Sequence, residues 1–180
     1  SGELGELRSR LRSVQDSVAD ASRSAGRDPS EITTIVVTKF HPASLVRELH
    51  ALGVRDFGEN RHQEARDKAA ALADLDLNWH FVGQLQSKKA RQVRAYADVI
   101  HSLDRVSVVD ALHSDEETVE CFVQLNLTDD PGRGGVADAE LESLTERVLA
   151  TSGLRLLGVM AVAPLGVEPR RAFARVRAAS

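Results

Sequence analysis

The stretch ITTIVVTKFHP, from Ile32 to Pro42, decides the fold. Its first seven residues are all Ile, Val or Thr, and such a β-branched run is typical of a buried strand. The segment that follows, PASLVRELHALG, has apolar residues at helical spacing and closes at Gly53, which predicts a helix with a glycine stop. Lys39 therefore stands at the end of a strand that the pattern predicts to be fully buried, and that position needs an explanation.

The alternation of strand and helix continues along the chain. Strands are predicted within VRDFGEN, WHFVG, DVIHSL, ETVECFVQLN and LRLLGVMAV, and a helical pattern follows each of them. This order indicates parallel βαβ units in an α/β fold. An amphipathic helix precedes the first strand, with one apolar face that contains Leu4, Leu7, Leu11, Val14 and Val18.

Polar residues at successive strand ends favour a barrel over an open doubly wound sheet. They are Lys39, Asn60, Gln84, Ser102 and Asn126. A (β/α)₈ barrel assembles its site from these C-terminal strand ends, whereas a Rossmann-type sheet would have a glycine-rich phosphate loop after its first strand, which this sequence lacks. Each polar residue alone is equally well explained as the start of a loop.

We therefore predict a single α/β domain over residues 1–180, a (β/α)₈ TIM-type barrel with an extra N-terminal helix. The sequence contains six readable units where a closed barrel has eight, so the last strands of the barrel are expected to be lacking from it. The interval around His113 is also short for a full crossover helix, and we expect a missing segment there as well.

The overall composition argues against several classes of function. The net charge of −4 and the sequence pI of about 5.9 argue against a general nucleic-acid binder. The single cysteine, Cys121, cannot form an internal disulfide, and no apolar run approaches the roughly 18 residues of a membrane span. We expect a cytoplasmic protein without a membrane partner. The six histidines show no metal-ligand spacing, so no metal site is predicted.

Lys39 has two interpretations. Burying an unpaired ammonium group is costly, so a lysine between Val37 and Phe40 would lose its proton more readily, and its neutral amine would attack a carbonyl to form a Schiff base. Alternatively, the side chain extends to solvent and joins a surface ion pair. Spacing alone favours the ion pair.

Six motifs resemble a known family. They are VVTKFHP, FGENR, WHFVGQLQSKKAR, VIHSLDR, VQLN and GLRLLGVMAV. Together they resemble the pyridoxal phosphate homeostasis proteins, which are single-domain barrels similar to the N-terminal domain of alanine racemase. The resemblance covers nearly the whole chain in the family's order, and its most specific runs are residues 57–60 and 80–91.

The resemblance implies a cofactor and an anchor for it. Lys39 stands where the family's lysine holds pyridoxal 5'-phosphate (PLP) as an internal aldimine, and Asn60 stands where an asparagine lies by the cofactor. Ser102, Asn126 and Met160 are expected to line the pocket because they stand at the fourth, fifth and sixth strand ends.

The sequence also departs from the family. His41 stands where many members have a second lysine, and imidazole cannot form an aldimine. Arg133 stands where a loop lysine is common, which keeps the charge but loses the amine. The family's phosphate-binding segments, similar to Ser-Gly-Met-Ser and Arg-x-Gly, do not occur in the sequence.

The resemblance implies a PLP carrier in vitamin B6 homeostasis, with no established turnover, whose partners are PLP and PLP-dependent apo-enzymes. We expect a monomer that binds no nucleic acid. An alanine racemase also needs a tyrosine acid/base from a second domain, and the single tyrosine, Tyr96, is predicted to pack against a neighbouring helix. A PLP-dependent racemase-like enzyme is the alternative, and a barrel with an unrelated, aldolase-type Schiff-base lysine is a third reading.

Overall fold

The computed structural model describes residues 2–180 and has the predicted alternation of strands and helices. The strands are β1 Val36–Val37, β2 Asp56–Glu59, β3 Asn78–Phe81, β4 Val99–Leu103, β5 Val119–Gln124 and β6 Leu154–Met160. The helices are α1 Gly2–Ser24, α2 Ala43–Ala51, α3 His62–Ala71, α4 Ala90–Arg94, α5 Val106–Ala111, α6 Asp138–Leu149 and α7 Pro169–Ala179. Short 3₁₀ turns at Pro29–Glu31 and Ser87–Lys89 precede β1 and α4.

The six strands form one parallel sheet in the order β1-β2-β3-β4-β5-β6. Each strand pairs with the next one along the chain, so the order never reverses and there is no switch point of the doubly wound kind. Crossovers between neighbouring parallel strands are right-handed as a rule, so this sequential order places successive helices on the same face of the sheet, as in a barrel. The sheet is an open arc with β1 and β6 at its edges, which confirms the predicted barrel-type α/β fold without its last strands.

The core lies between the sheet and its helices. In β5, Cys121 and Val123 are fully buried against residues of α4, α5 and α6, whereas Phe122 and Gln124 alternate to the other face. A second cluster joins Phe57 and Trp79 to the buried residues of α2. The opposite face of the sheet, the inner face of the barrel, is thus left for polar side chains.

The prediction that the first strand is fully buried is wrong. Only Val36 and Val37 form the strand, and Val37 is 47% exposed. The reason is that β1 is an edge strand with a single neighbour, β2, and its inner face is not covered. Lys39 is correspondingly exposed.

The connection near His113 is short, but it is long enough to join β4 to β5. The six-residue helix α5 and residues 112–118 lead from β4 to β5. Arg94 ties this connection to α4 because its guanidinium donates to the carbonyls of Leu112 and Glu117. The structure makes this crossover without a further helix, and the missing segment expected there stays a prediction. Within residues 2–180, no helix is both long and apolar enough to cross a membrane.

Candidate functional site

Lys39 lies just beyond β1, at the carboxyl edge of the sheet. Its side chain is exposed, and it has no hydrogen bond or ion pair with any residue in the range 2–180. The surface ion pair considered from the sequence is therefore not formed. The flanking backbone, in contrast, is held firmly, because Thr38 is 1% exposed and Phe40 has a φ of 68°, a left-handed conformation uncommon for a non-glycine residue.

The buried ammonium group at this strand end belongs to Lys68 on α3. Its side chain is 7% exposed and its Nζ donates to Glu59 Oε1 and to the carbonyl oxygen of Thr38, both at 2.7 Å. The Thr38 hydroxyl donates to the same Glu59 oxygen, also at 2.7 Å. A buried charge is tolerated when it is paired and hydrogen-bonded, so this cluster joins α3 to the ends of β1 and β2.

Glu64, one turn before Lys68, extends the cluster to the loop after β1. Its carboxylate accepts the Phe40 amide at 2.9 and 3.1 Å, and Glu64 Oε2 lies 3.6 Å from Lys68 Nζ. The Arg61 guanidinium lies 5.4 Å from the centre of the Phe40 ring, within cation–π range. These contacts define the Lys68 cluster, which comprises Thr38, Glu59, Glu64 and Lys68.

Asn60 directly follows β2, the strand that neighbours β1. Val37 is opposite Gly58 in the sheet, and Lys39 and Asn60 each lie two residues beyond that pair, past the ends of their strands. Gly83 packs directly on the Asn60 backbone, since a Cβ at Gly83 would lie 2.0 Å from the Asn60 carbonyl oxygen. The glycine of WHFVG therefore permits close contact between the ends of β2 and β3.

Ser102 is 2% exposed, and its Oγ is buried without a hydrogen-bond partner. The register between β4 and β5 shifts between Ile100 and Leu103, the interval that contains Ser102. A buried hydroxyl without a partner is uncommon and calls for an explanation. A polar ligand group at this strand end would supply the missing partner.

Asn126 and Met160 are placed at strand ends as predicted, but the Asn126 amide is already engaged. It accepts the Thr128 amide at 2.8 Å and donates to the Asp130 carbonyl at 2.9 Å, which shapes the loop after β5. Met160 is partly exposed and is paired with Gln124 in the sheet. Neighbouring strands lie about 4.8 Å apart, so Lys39 and Met160, at opposite edges, are not brought into contact along the sheet.

The loop after β5 folds back over the sheet's carboxyl edge. A Cβ at Gly134 would meet Gln84 Nε2 at 2.2 Å, and the Gly135 amide donates to Asp104 Oδ2 at 3.1 Å. Gly135 has a φ of 109°, a conformation that favours glycine. The glycine-rich segment DPGRGG thus covers the ends of β3 and β4, and Arg133 is exposed on it.

A chain of three polar side chains crosses the sheet below these strand ends. His80 Nε2 lies 2.9 Å from Asp56 Oδ1, and His80 Nδ1 lies 2.8 Å from His101 Nε2. The His101 ring stacks on Phe122 with centroids 4.7 Å apart. Burial, together with the neighbouring His80, lowers the pKa of His101 to about 4, so at neutral pH His101 is uncharged.

This lowered pKa predicts a loss of stability in mild acid. Unfolded His101 has a pKa near 6.5, so below pH 6.5 the unfolded chain binds a proton that the folded chain refuses. His101 then reduces the free energy of unfolding by about 2 kcal/mol at pH 5, and the loss is complete below about pH 4. Urea unfolding at pH 7.5 and pH 5 measures this loss of stability.

The control for this pH effect is an exposed histidine. His101→Phe is expected to shrink the difference between the two pH values by that amount, whereas His113→Gln, which changes an exposed side chain, leaves it as in the wild type. If lowering the pH destabilises His101→Phe as much as the wild type, the acid effect does not come from His101.

Two other reactive side chains are engaged away from these strand ends. The Tyr96 hydroxyl lies 3.1 Å from His62 Nδ1 on α3, and the two rings stack, so the predicted packing of Tyr96 against a neighbouring helix is confirmed. Burial, with Glu59 adding a smaller effect, raises the pKa of Tyr96. Burial and the nearby Glu120 raise the pKa of the Cys121 thiol to about 12, so this thiol is a poor nucleophile.

The sequence reasoning missed the Lys68 cluster and the Asp56–His80–His101 chain. One signal for the first was available, because Ala65, Lys68 and Leu72 share the buried face of α3, and a lysine on that face needs a carboxylate partner. The second joins residues from three strands, so no spacing in the sequence could have indicated it.

Comparisons with known proteins agree with this geometry. Residues 10–179 match the family model described as alanine racemase, N-terminal domain. The chain is 37% identical to the pyridoxal phosphate homeostasis protein of Pseudomonas aeruginosa, over 97% of this chain and 79% of the relative. The solved structure of PipY from Synechococcus elongatus with PLP bound is 36% identical, with a TM-score of 0.76 over 90% of this chain and 79% of PipY. Alanine racemase from E. faecalis shares the fold alone, with a TM-score of 0.65 at 12% identity over 92% of this chain and 48% of the racemase.

Proposed function

The chain belongs to the pyridoxal phosphate homeostasis proteins within the alanine racemase N-terminal domain family, and from that premise we propose that it binds PLP on Lys39 and acts as an intracellular carrier. The observation that carries the proposal is the exposed Lys39 amine, free of any partner in residues 2–180, at the carboxyl edge of a parallel sheet. We assign the function to residues 1–180 as a single domain.

The chain's own residues fit the aldehyde end of PLP. The cofactor supplies an aldehyde carbon, with which a lysine amine condenses to form a C=N bond and release one water. Lys39 is free to supply that amine, and Asn60 stands just past the end of β2, the strand paired with β1. The unpartnered Ser102 hydroxyl is a ready hydrogen-bond donor or acceptor at the same edge. In this proposal Asn126 has an indirect role, because it shapes the loop after β5. Met160 offers PLP an apolar contact at the end of β6.

A carrier is favoured over a racemase-like enzyme by the state of Tyr96. A racemase needs an acid/base group on each face of the cofactor, and Tyr96, the single tyrosine, is engaged by His62 on the helix side of the sheet. Cys121 is buried and its thiol has a raised pKa. Neither group is available to move a proton at Lys39.

The partners follow from the exposure of Lys39. A cofactor held by a solvent-exposed amine can be passed on, so we propose that PLP-dependent apo-enzymes receive it. A cytoplasmic monomer fits this role, since a single buried thiol requires no oxidising compartment. The net charge of −4 gives no reason to expect nucleic acid among the partners.

The test is to mix the purified chain with PLP, reduce with borohydride, and map the label by peptide mass spectrometry. Borohydride converts the C=N bond to a secondary amine, so a labelled Lys39 peptide is the expected result. Incubation of the unreduced mixture with L-alanine should then yield no D-alanine. Label spread evenly over exposed amines would contradict PLP binding on Lys39, and formation of D-alanine would favour the racemase-like enzyme.

A further inference from the structure

We propose that Lys68 and Glu64 are positioning residues for Lys39: they hold the two peptide groups on either side of it so that its amine is presented to the PLP aldehyde. This inference rests on the proposed function, because it concerns how the anchoring lysine is presented. Neither residue touches the cofactor in this proposal, and both act through the backbone of Lys39.

On the N-terminal side of Lys39, the hydrogen bonds of the sheet end at Thr38, so the sheet does not hold the backbone of Lys39. The last ladder bond from this segment runs from the Thr38 amide to the Gly58 carbonyl at 3.0 Å. The next peptide group, which joins Thr38 to Lys39, has its carbonyl bound by Lys68 Nζ at 2.7 Å and by the His41 amide, within the turn, at 3.0 Å. The His41 bond is local to the turn, so it is the buried ammonium that ties this peptide to α3.

On the C-terminal side, the peptide group that joins Lys39 to Phe40 is held by Glu64. The Phe40 amide donates to both carboxylate oxygens of Glu64, and Phe40 has a φ of 68°. A non-glycine residue in this region persists only when its surroundings hold it there. The bidentate contact is such a restraint, and it sets the direction in which the chain leaves Lys39.

The two restraints are coupled through α3. Glu64 and Lys68 are four residues apart on one helix, with Nζ and Oε2 3.6 Å apart, and Lys68 is anchored below by Glu59. The Lys39 Cα is thus fixed from both sides by one rigid helix. Lys68 is itself too buried to compete for the aldehyde, so the cluster separates a structural lysine from a reactive one.

The experiment measures how fast PLP labels each lysine of the full chain. Lys39, Lys88 and Lys89 are the exposed lysines, so Lys88 and Lys89 serve as internal references for general amine reactivity. Wild type is compared with Lys68→Met, Glu64→Ala and Glu64→Gln. Arg66→Met, an exposed change on the same helix, is the matched control. Circular dichroism melting reports whether each variant is folded.

In Glu64→Ala and Lys68→Met we expect Lys39 labelling to slow by about tenfold, because a misplaced reacting group loses its orientation, while Lys88 and Lys89 labelling is unchanged. Glu64→Gln retains an acceptor for the Phe40 amide and should label Lys39 at a rate near that of wild type, as should Arg66→Met. A general loosening of the fold would not distinguish glutamine from alanine at position 64.

Two different failures are distinguishable. If wild type labels Lys39 selectively and Glu64→Ala labels it equally fast, the positioning role is overturned while the proposed function stands. If wild type shows no selectivity for Lys39, the proposed function fails and the inference with it. Should Lys68→Met not fold, Glu64→Ala decides the matter, because Glu64 is partly exposed and its removal leaves the Lys68–Glu59 pair in place.

Discussion

Lys39→Ala is expected to abolish the borohydride-stable PLP label at its dominant site, whereas the double variant Lys88→Ala/Lys89→Ala keeps it. The chain has four lysines, and their environments differ sharply. Lys68 is buried and paired. Lys88 and Lys89 lie exposed on the 3₁₀ turn before α4, with the reactivity of ordinary surface amines. Lys39 alone combines an exposed amine with a backbone held on both sides.

The effect is expected to be large because attachment depends on one covalent bond. Without the amine at position 39, bound PLP loses its anchor, and only slow, unselective labelling of the remaining exposed amines is left. The measurement is the fraction of label on each peptide at a PLP concentration below that of the protein. Transfer of the full wild-type label to Lys88 or Lys89 in Lys39→Ala would show that the anchor lies on the turn and not at β1.

Much of the fold was predictable from the sequence, because it is indicated by short stretches of neighbouring residues. The β-branched run before Lys39 and the glycine at position 53 mark a strand and a helix end through propensity and backbone conformation alone, and Gly53 indeed has a φ of 102°. Strand-end polar residues indicated the edge of the sheet at which we propose the site, because parallel strands align their carboxyl ends. These signals involve residues close together in the chain.

The site was less predictable because its charges are paired over long distances in sequence. The β-branched run indicated burial for β1, yet its exposure depends on which strands flank it, and a propensity contains no such information. For the same reason, the sequence left two interpretations of Lys39 open and did not indicate that Lys68 is the buried lysine. The residues next to each lysine in the sequence do not decide which one is buried, and only the contact of Lys68 with Glu59 and Thr38 identifies it as the buried one.

The second large effect is expected on the stability of the protein when one partner of the buried Lys68–Glu59 pair is removed. In Lys68→Met the Glu59 carboxylate remains buried at 1% side-chain exposure, with one oxygen already lacking a partner. In Glu59→Met the ammonium remains with only the Thr38 carbonyl and the more distant Glu64. Removing one partner of a buried ion pair leaves an uncompensated charge, so each single change should lower the free energy of unfolding by about 3–5 kcal/mol.

The double variant Glu59→Met/Lys68→Met should cost less than either single change, because two apolar side chains of similar volume remove both charges together. It still leaves the Thr38 hydroxyl without its Glu59 partner, which costs about 1–3 kcal/mol, whereas the Thr38 carbonyl keeps its hydrogen bond from the His41 amide at 3.0 Å. Urea unfolding of the four proteins gives the coupling free energy of the pair. The exposed pair Asp110–Arg147, bidentate with both contacts at 2.9 Å, is the matched control, with a coupling below about 1 kcal/mol expected.

The cycle also separates stability from positioning. If the double variant is stable but labels Lys39 slowly, the buried pair is retained for the placement of Lys39, because methionine at position 68 cannot donate to the Thr38 carbonyl. Additive single effects, with a double variant as unstable as their sum, would mean that the two charges are not coupled. The Lys68 ammonium would then be stabilised chiefly by the Thr38 carbonyl and Glu64, the groups that lie on either side of Lys39.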